Sequence, residues 1–221
     1  MRRLRPPLRT GMLLALAGWL AASAGVRAEP GTFLVDSELT RARFVVEYLG
    51  MATAHGRFGR TSGTIGVDAQ QKVDGIDLAI DTESVDMGWD LRDAFVRSEV
   101  MFDVQRFPRL HFRSTHVSYE GARLVGVEGD LTLRGVTRPV RLDVARVECA
   151  IRPDDGREAC GATVTGRISR RAFGMDFAYP LIGDEVALEI ELTAFRVADA
   201  AAGNAPQGRS APRPAARPDG P

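Results

Sequence analysis

The chain is poor in most of the groups that announce chemistry. It has two cysteines and three histidines in 221 residues, 7% aromatics and no net charge. With so few cysteines there is no CxxC pair and no zinc-finger framework. The histidines, His55, His111 and His116, form no HExxH or other zinc-binding pair; read on one strand, His111 and His116 fall on opposite faces. There is no GxGxxG and no phosphate-binding loop, and Ser62 sits in GRTSG rather than in a GxSxG elbow. No apolar run reaches the roughly 20 residues of a comfortable membrane span, which excludes a multi-span membrane protein. The absence of a basic surplus argues against a nucleic-acid binder. No internal repeat, charge run or strand–helix alternation appears, which disfavours a parallel α/β sheet. What remains is an ordinary hydrophobic fraction of 44%, enough for a folded core.

The zero charge is a sum over unlike segments. Residues 1–28 hold five arginines and no acid, then an apolar run from Met12 to Ala24 and small residues at Val26 and Ala28. This is the plan of a signal peptide, with cleavage expected after Ala28. Residues 198–221 hold eight Ala, five Pro and three Gly. Such a segment buries too little apolar surface to offset ordering entropy, so a disordered Ala/Pro-rich tail is expected. Between them, residues 29–197 carry 21 basic and 27 acidic side chains, which opposes anionic polymers as partners.

That central segment reads as β. Ile76, Leu78 and Ile80 alternate with Asp77, Ala79 and Asp81; Val140, Leu142 and Val144 alternate with Arg141, Asp143 and Ala145; Val186, Leu188, Ile190 and Leu192 alternate with Glu185, Ala187, Glu189 and Glu191. Period two gives one buried and one wet face, and puts most carboxylates on the wet one. Further strands are expected over residues 41–49, 54–62, 64–68, 109–118, 124–133 and 162–169, with breaks at Gly63, Gly75, Gly121 and Gly135. Ser84–Arg97 alone has helical spacing, at Trp89, Arg92, Asp93 and Val96, with Asp90 as the expected cap. About eight antiparallel strands fit a sandwich or a closed barrel, and a closed barrel of that size can enclose one small ligand.

Cys149 and Cys160 flank Pro153-Asp154-Asp155-Gly156, a strong turn sequence. Two strand ends joined by such a turn meet, and an exported protein permits the bond, so a disulfide is expected over a redox or metal pair. The aromatic and sulfur side chains include Phe44, Tyr48, Phe58, Trp89, Phe95, Met101, Phe102, Phe107, Phe112, Phe173, Met175 and Phe177, several of them clustered around the helical segment between Met87 and Phe112. They fit a packed core or the lining of an apolar cavity. Arg92-Asp93 is expected to lock the helix to its surroundings.

Several stretches carry a resemblance. Phe33-Leu34-Val35-Asp36, Gly56-Arg57-Phe58, Ser84-Val85-Asp86, Arg92-Asp93, Phe102-Asp103, Phe107-Pro108, GDLTLRGVTRPV (residues 129–140) and SRRAFGM (residues 169–175) together resemble the YceI-like family, and the GDLTLRGVTRPV stretch is the most specific of them. The resemblance covers nearly all of residues 29–197. It implies an extended, all-β, lipocalin-like antiparallel barrel of about eight strands with one short helix near its mouth. It also implies a periplasmic, non-enzymatic carrier that sequesters a long-chain polyisoprenoid lipid or isoprenoid quinone in an apolar tunnel, with no cofactor required. The ligand would be held by burial, at roughly 0.8 kcal/mol per methylene. The residues expected to line the tunnel are Phe44, Tyr48, Phe95, Met101, Phe102, Phe112 and Phe177. Transient membrane contact and a homodimer are the further partners it implies. Family members commonly carry histidine where this chain has Leu39, Tyr48 and Phe95. Metal binding through these positions is therefore excluded, and a more apolar mouth is expected. The rival readings are an envelope enzyme using Arg92, Asp93 or Asp176, and a stress-linked structural protein whose own side chains fill the cavity.

Overall fold

The computed structural model describes residues Pro30–Val197. The expected signal peptide (residues 1–28) and tail (residues 198–221) lie outside the described residues. The strands are β1 (Gly31–Val35), β2 (Arg41–Tyr48), β3 (Ala52–Phe58), β4 (Thr61–Val67), β5 (Val73–Asp81), β6 (Val85–Asp86), β7 (Arg109–Glu120), β8 (Arg123–Leu133), β9 (Val136–Ile151), β10 (Glu158–Ser169) and β11 (Ile182–Arg196). One helix, α1 (Asp90–Arg97), lies between β6 and β7.

The eleven segments make an eight-stave closed barrel, every pairing antiparallel. β1 and β2 run end to end along β11: Phe33 faces Arg196 and Val35 faces Ala194, then Arg41 faces Glu191 and Tyr48 faces Ile182. The break between them is an Asx turn, in which the Asp36 carboxylate accepts the Glu38 and Leu39 N–H groups at 2.9 Å each. β3 and β4 likewise lie end to end, β3 on β2 and β4 on β1. Here the Ser84 hydroxyl accepts the Gly59 and Arg60 N–H groups at 3.2 and 3.1 Å. The single strand expected over residues 54–62 is therefore corrected: the chain breaks at Gly59-Arg60. Of the four glycine breaks, Gly121 and Gly135 fall in turns, whereas Gly63 and Gly75 lie inside strands. At the β8–β9 turn, Arg134 and Gly135 both have positive φ (53° and 73°). Paired positive φ is the conformation of a two-residue hairpin whose twist matches its strands, which accounts for Arg-Gly in the GDLTLRGVTRPV stretch.

The helix also differs from expectation at its start. Trp89 occupies the N-cap and makes no side-chain capping bond, while Asp90 is the first helical residue. Asp90 and Asp93 in the first turn and Arg97 in the last still suit the helix dipole. Asp93 Oδ1 accepts the Met87 N–H at 2.7 Å, and the Arg97 guanidinium donates to Glu83 O (3.0 Å) and Val85 O (2.6 Å). These bonds bind α1 to the segment before it. Arg92 lies over the Trp89 ring, 5.6 Å from its centroid.

Alternation along the staves is borne out. Leu142, Val144, Phe112, Leu131 and Leu192 are buried, and Asp77 and Glu191 face outward in ion pairs with Arg113 and Arg43. A bulge between Ser114 and His116 resets the count on β7, so His111 and His116 do not take opposite faces. His111 instead meets Asp77 at 2.7 Å on the outer surface, and His116 is exposed. Cys149 and Cys160 stand directly opposite each other on β9 and β10 and form the expected disulfide. No helix among the described residues is long and apolar enough to cross a membrane.

Candidate functional site

The two ends of the barrel are built differently. At the lower end the chain turns in short hairpins, and the described termini meet there: Val197 N–H donates to Thr32 O at 2.8 Å. At the upper end stand α1, the long connection from Ser98 to Pro108 and the connection from Arg170 to Leu181. Beneath these upper connections lies a chamber of about 420 Å³. That falls within the roughly 300–1,000 Å³ of small-molecule sites.

β2 gives the chamber Phe44, Val46 and Tyr48, since these alternate residues share the inner face. β3 adds Ala54 and Phe58, and β10 and β11 add Ile168, Val186 and Leu188. α1 turns Phe95 and Val96 inward, and Met87, Met101 and Met175 fill the gaps between elements. Phe44, Phe58 and Phe102 form the floor, with ring centroids 5.5, 5.5 and 6.4 Å apart in tilted and edge-on contacts. Polar groups are confined to the edge: Tyr48, Thr53 and Arg92.

Arg170 is the exception. It is 2% exposed and lines the chamber wall. Its guanidinium donates to the carbonyls of Gly183 (2.7 Å), Ile182 (2.7 Å) and Met175. Burial pulls its pKa below the ordinary guanidinium range, opposed by the charges of Asp184 and Asp176. Arg170 thus folds the β10–β11 connection back onto the barrel. Asp184 anchors the base of the same connection. Burial pushes its carboxyl upward. Hydrogen bonds from the Arg171 N–H (3.0 Å) and the Ser169 hydroxyl (2.8 Å), with the charges of Arg171 and Arg170, outweigh that and hold it below the usual carboxylate range. Arg134 joins the upper connections by donating to Gly174 O (2.8 Å) and Glu99 O (3.1 Å).

Around the mouth, large apolar side chains stand in solvent: Met51 (88% exposed), Leu91, Leu181, Trp89, Tyr179 and Phe177. Leu49 N–H donates to Leu181 O at 2.7 Å, so the β2–β3 turn and the β10–β11 connection form one rim. The rim that these segments form is therefore largely apolar.

Of the seven residues expected to line a tunnel, Phe44, Tyr48, Phe95, Met101 and Phe102 line this chamber. Phe112 lines a separate lower chamber of about 260 Å³. Phe177 lines neither, resting on Phe95 from outside at 5.1 Å between centroids. Leu39 lies in the Asx turn, half-exposed and away from the mouth. Sequence reasoning missed Arg170, which nothing in the string distinguishes from its exposed neighbour Arg171. Met87 and Met175 belong to the aromatic and sulfur set noted in the sequence but not to the seven residues, and both line the chamber.

The acids named for a catalytic alternative are already engaged. Asp93 binds the Met87 N–H, and Asp176 pairs with Arg171 at 3.1 Å on the surface. Cys149, Glu158 and Cys160 are the one cluster of potential metal-ligating atoms among the described residues. Its sulfurs are bonded to each other and offer no thiolate.

The YceI-like domain model matches residues 33–194. The chain belongs to the YceI-like family. A UPF0312 protein of Vibrio campbellii is 30% identical over 187 residues, covering 83% of this chain and 93% of its own length. Protein YceI of Salmonella arizonae is 32% identical over 163 residues, covering 72% and 84%. Among solved structures, Burkholderia cenocepacia BcnA superposes with a TM-score of 0.58 at 22% identity, covering 72% of this chain and 98% of that one. A polyisoprenoid-binding domain from Saccharophagus degradans, implicated in plant cell wall breakdown, superposes with a TM-score of 0.56 at 19% identity, covering 75% and 98%. At those identities the structures establish a shared barrel, and the eight-stave, one-helix architecture expected from the family is the one observed.

Proposed function

We propose that the protein is a periplasmic carrier that takes a long-chain polyisoprenoid lipid or isoprenoid quinone into the upper chamber and makes or breaks no bond. The observation that carries this reading is the composition of the chamber: aromatic, aliphatic and methionine walls under a rim that is itself apolar. Such a site gains roughly 0.8 kcal/mol per methylene removed from water and has little with which to hold a wholly polar molecule. Tyr48, Thr53 and Arg92 at the edge suit a single polar head left at the mouth. The exposed rim suits transient contact with a membrane surface, since Trp and Tyr favour the lipid–water boundary and a ligand passing between bilayer and chamber would avoid water.

Trp89 provides the test. The chain has two tryptophans, and the other, Trp19, lies in the segment expected to be removed. In the mature chain Trp89 fluorescence should be quenched saturably by an isoprenoid quinone, and organic extracts of the purified protein should contain a polyprenyl species in stoichiometric amount. Repeatedly empty protein that also ignores added quinone would overturn the reading. Sedimentation in the absence of lipid separates a rim that meets membrane from one that meets a second copy of the chain.

A further inference from the structure

The barrel interior holds an upper and a lower chamber. The upper and lower chambers share no lining residue, although both are bounded by successive inward positions on the same strands. On β7, Leu110 faces the upper chamber and Phe112 the lower; on β11, Leu188 faces the upper and Ile190 the lower. The boundary is a packed layer. The floor rings of Phe58 and Phe102 lie above it and Phe112 below it. Leu131, 5% exposed and in register with Phe112, lines neither chamber. The Phe112 ring lies over Gly129 of the neighbouring strand β8, where a built Cβ would come within 2.5 Å of its Cζ. Only a residue without a side chain lets the ring lie flat in that place. At about 260 Å³ the lower chamber falls below the range of ordinary ligand sites.

We propose that Phe112 and its layer set the length of chain from which this protein draws affinity. Resting on the carrier reading above, the inference is that the head-proximal isoprene units fill the upper chamber and the chain stops at the layer. The lower chamber takes no part in binding.

The test is a Trp89 fluorescence titration of the mature protein with a homologous series of alcohols: geraniol, farnesol, geranylgeraniol and solanesol. For the natural sequence, affinity rises by about tenfold or more over the first step or two, as apolar burial requires, and then levels off. Phe112→Ala joins the chambers and moves the plateau to longer chains. Ala162→Leu, which fills only the lower chamber, leaves the natural profile unchanged and cancels the gain when combined with Phe112→Ala. Should Phe112→Ala fail to fold, the first and third measurements still decide. Affinity that climbs through solanesol in the natural sequence overturns the proposal. If Ala162→Leu then weakens the longer alcohols, the chain runs down the axis. If it has no effect, the chain leaves sideways through the groove where residues 138–141 of β9 and 167–169 of β10 part beyond the last pair of their ladder, Leu142 with Gly166. No binding at any length overturns the carrier reading itself, a result distinct from both.

Discussion

A disulfide ties the lower end of the barrel, and the upper end is held by hydrogen bonds and ion pairs alone among the described residues. Below, Cys149–Cys160 bridges β9 and β10, Arg196 pairs with Glu158 at 2.7 Å and bonds Gln71, and Lys72 sits over the Tyr119 ring. Above, the connections are long, their largest side chains stand in solvent, and one buried arginine holds the β10–β11 segment in place. The difference teaches where the fold secures its stability and where it accepts the cost of apolar exposure. A structural barrel filled by its own side chains gains nothing from six large hydrophobics around one mouth, whereas a binding protein does.

The contrast can be tested from its largest expected effect downward. Arg170→Met removes the donor from three carbonyls of the β10–β11 connection. It should cost about 3–5 kcal/mol in denaturant unfolding and abolish quinone quenching of Trp89. Cys149→Ala with Cys160→Ala opens an 11-residue separation at the other end. It should cost about 2–3 kcal/mol in the same assay while leaving quinone affinity unchanged, because the bridge lies outside the upper chamber. Acid should act on the upper end through Asp184, whose folded pKa is depressed. Its contribution is intact above the unfolded value of about 3.9 and is lost as pH falls through that value toward the lower folded one. Amide exchange measured across that range should increase over residues 170–184, and Asp184→Asn should flatten the response. Met51→Ser with Leu91→Ser should change stability by no more than about 0.5 kcal/mol. These substitutions should nonetheless slow transfer of quinone from vesicles, read by stopped-flow fluorescence; an unchanged rate would detach the rim from function.

Much of the barrel was legible because period-two alternation is a local property. Ile76 and Leu78, Leu142 and Val144, and Leu188 to Leu192 all turn inward as their spacing dictates. The site was legible only in part, because a chamber is made by register and by irregular segments. Phe44 and Phe112 are alike as inward strand phenylalanines, and only the ladder places one above the boundary and the other below it. Phe177 sits in a connection without periodicity, so its type pointed to a cavity while its position put it outside. The bulge at His116 and the break at Gly59-Arg60 depend on bonds to distant residues, the second on Ser84, which the local pattern does not contain.

The meeting of Thr32 with Val197 makes the described chain nearly a ring. Joined there by a short linker, it could be cut elsewhere and keep the order of its staves, since close termini favour circular permutation. Cutting at Gly121-Ala122, an exposed hairpin at the lower end, would leave the mouth whole. Cutting at Gly50-Met51 would sever the rim in a protein whose barrel order is otherwise the same. The two permutants would carry the same residues in the same sheet and differ in whether the mouth is one continuous piece of chain.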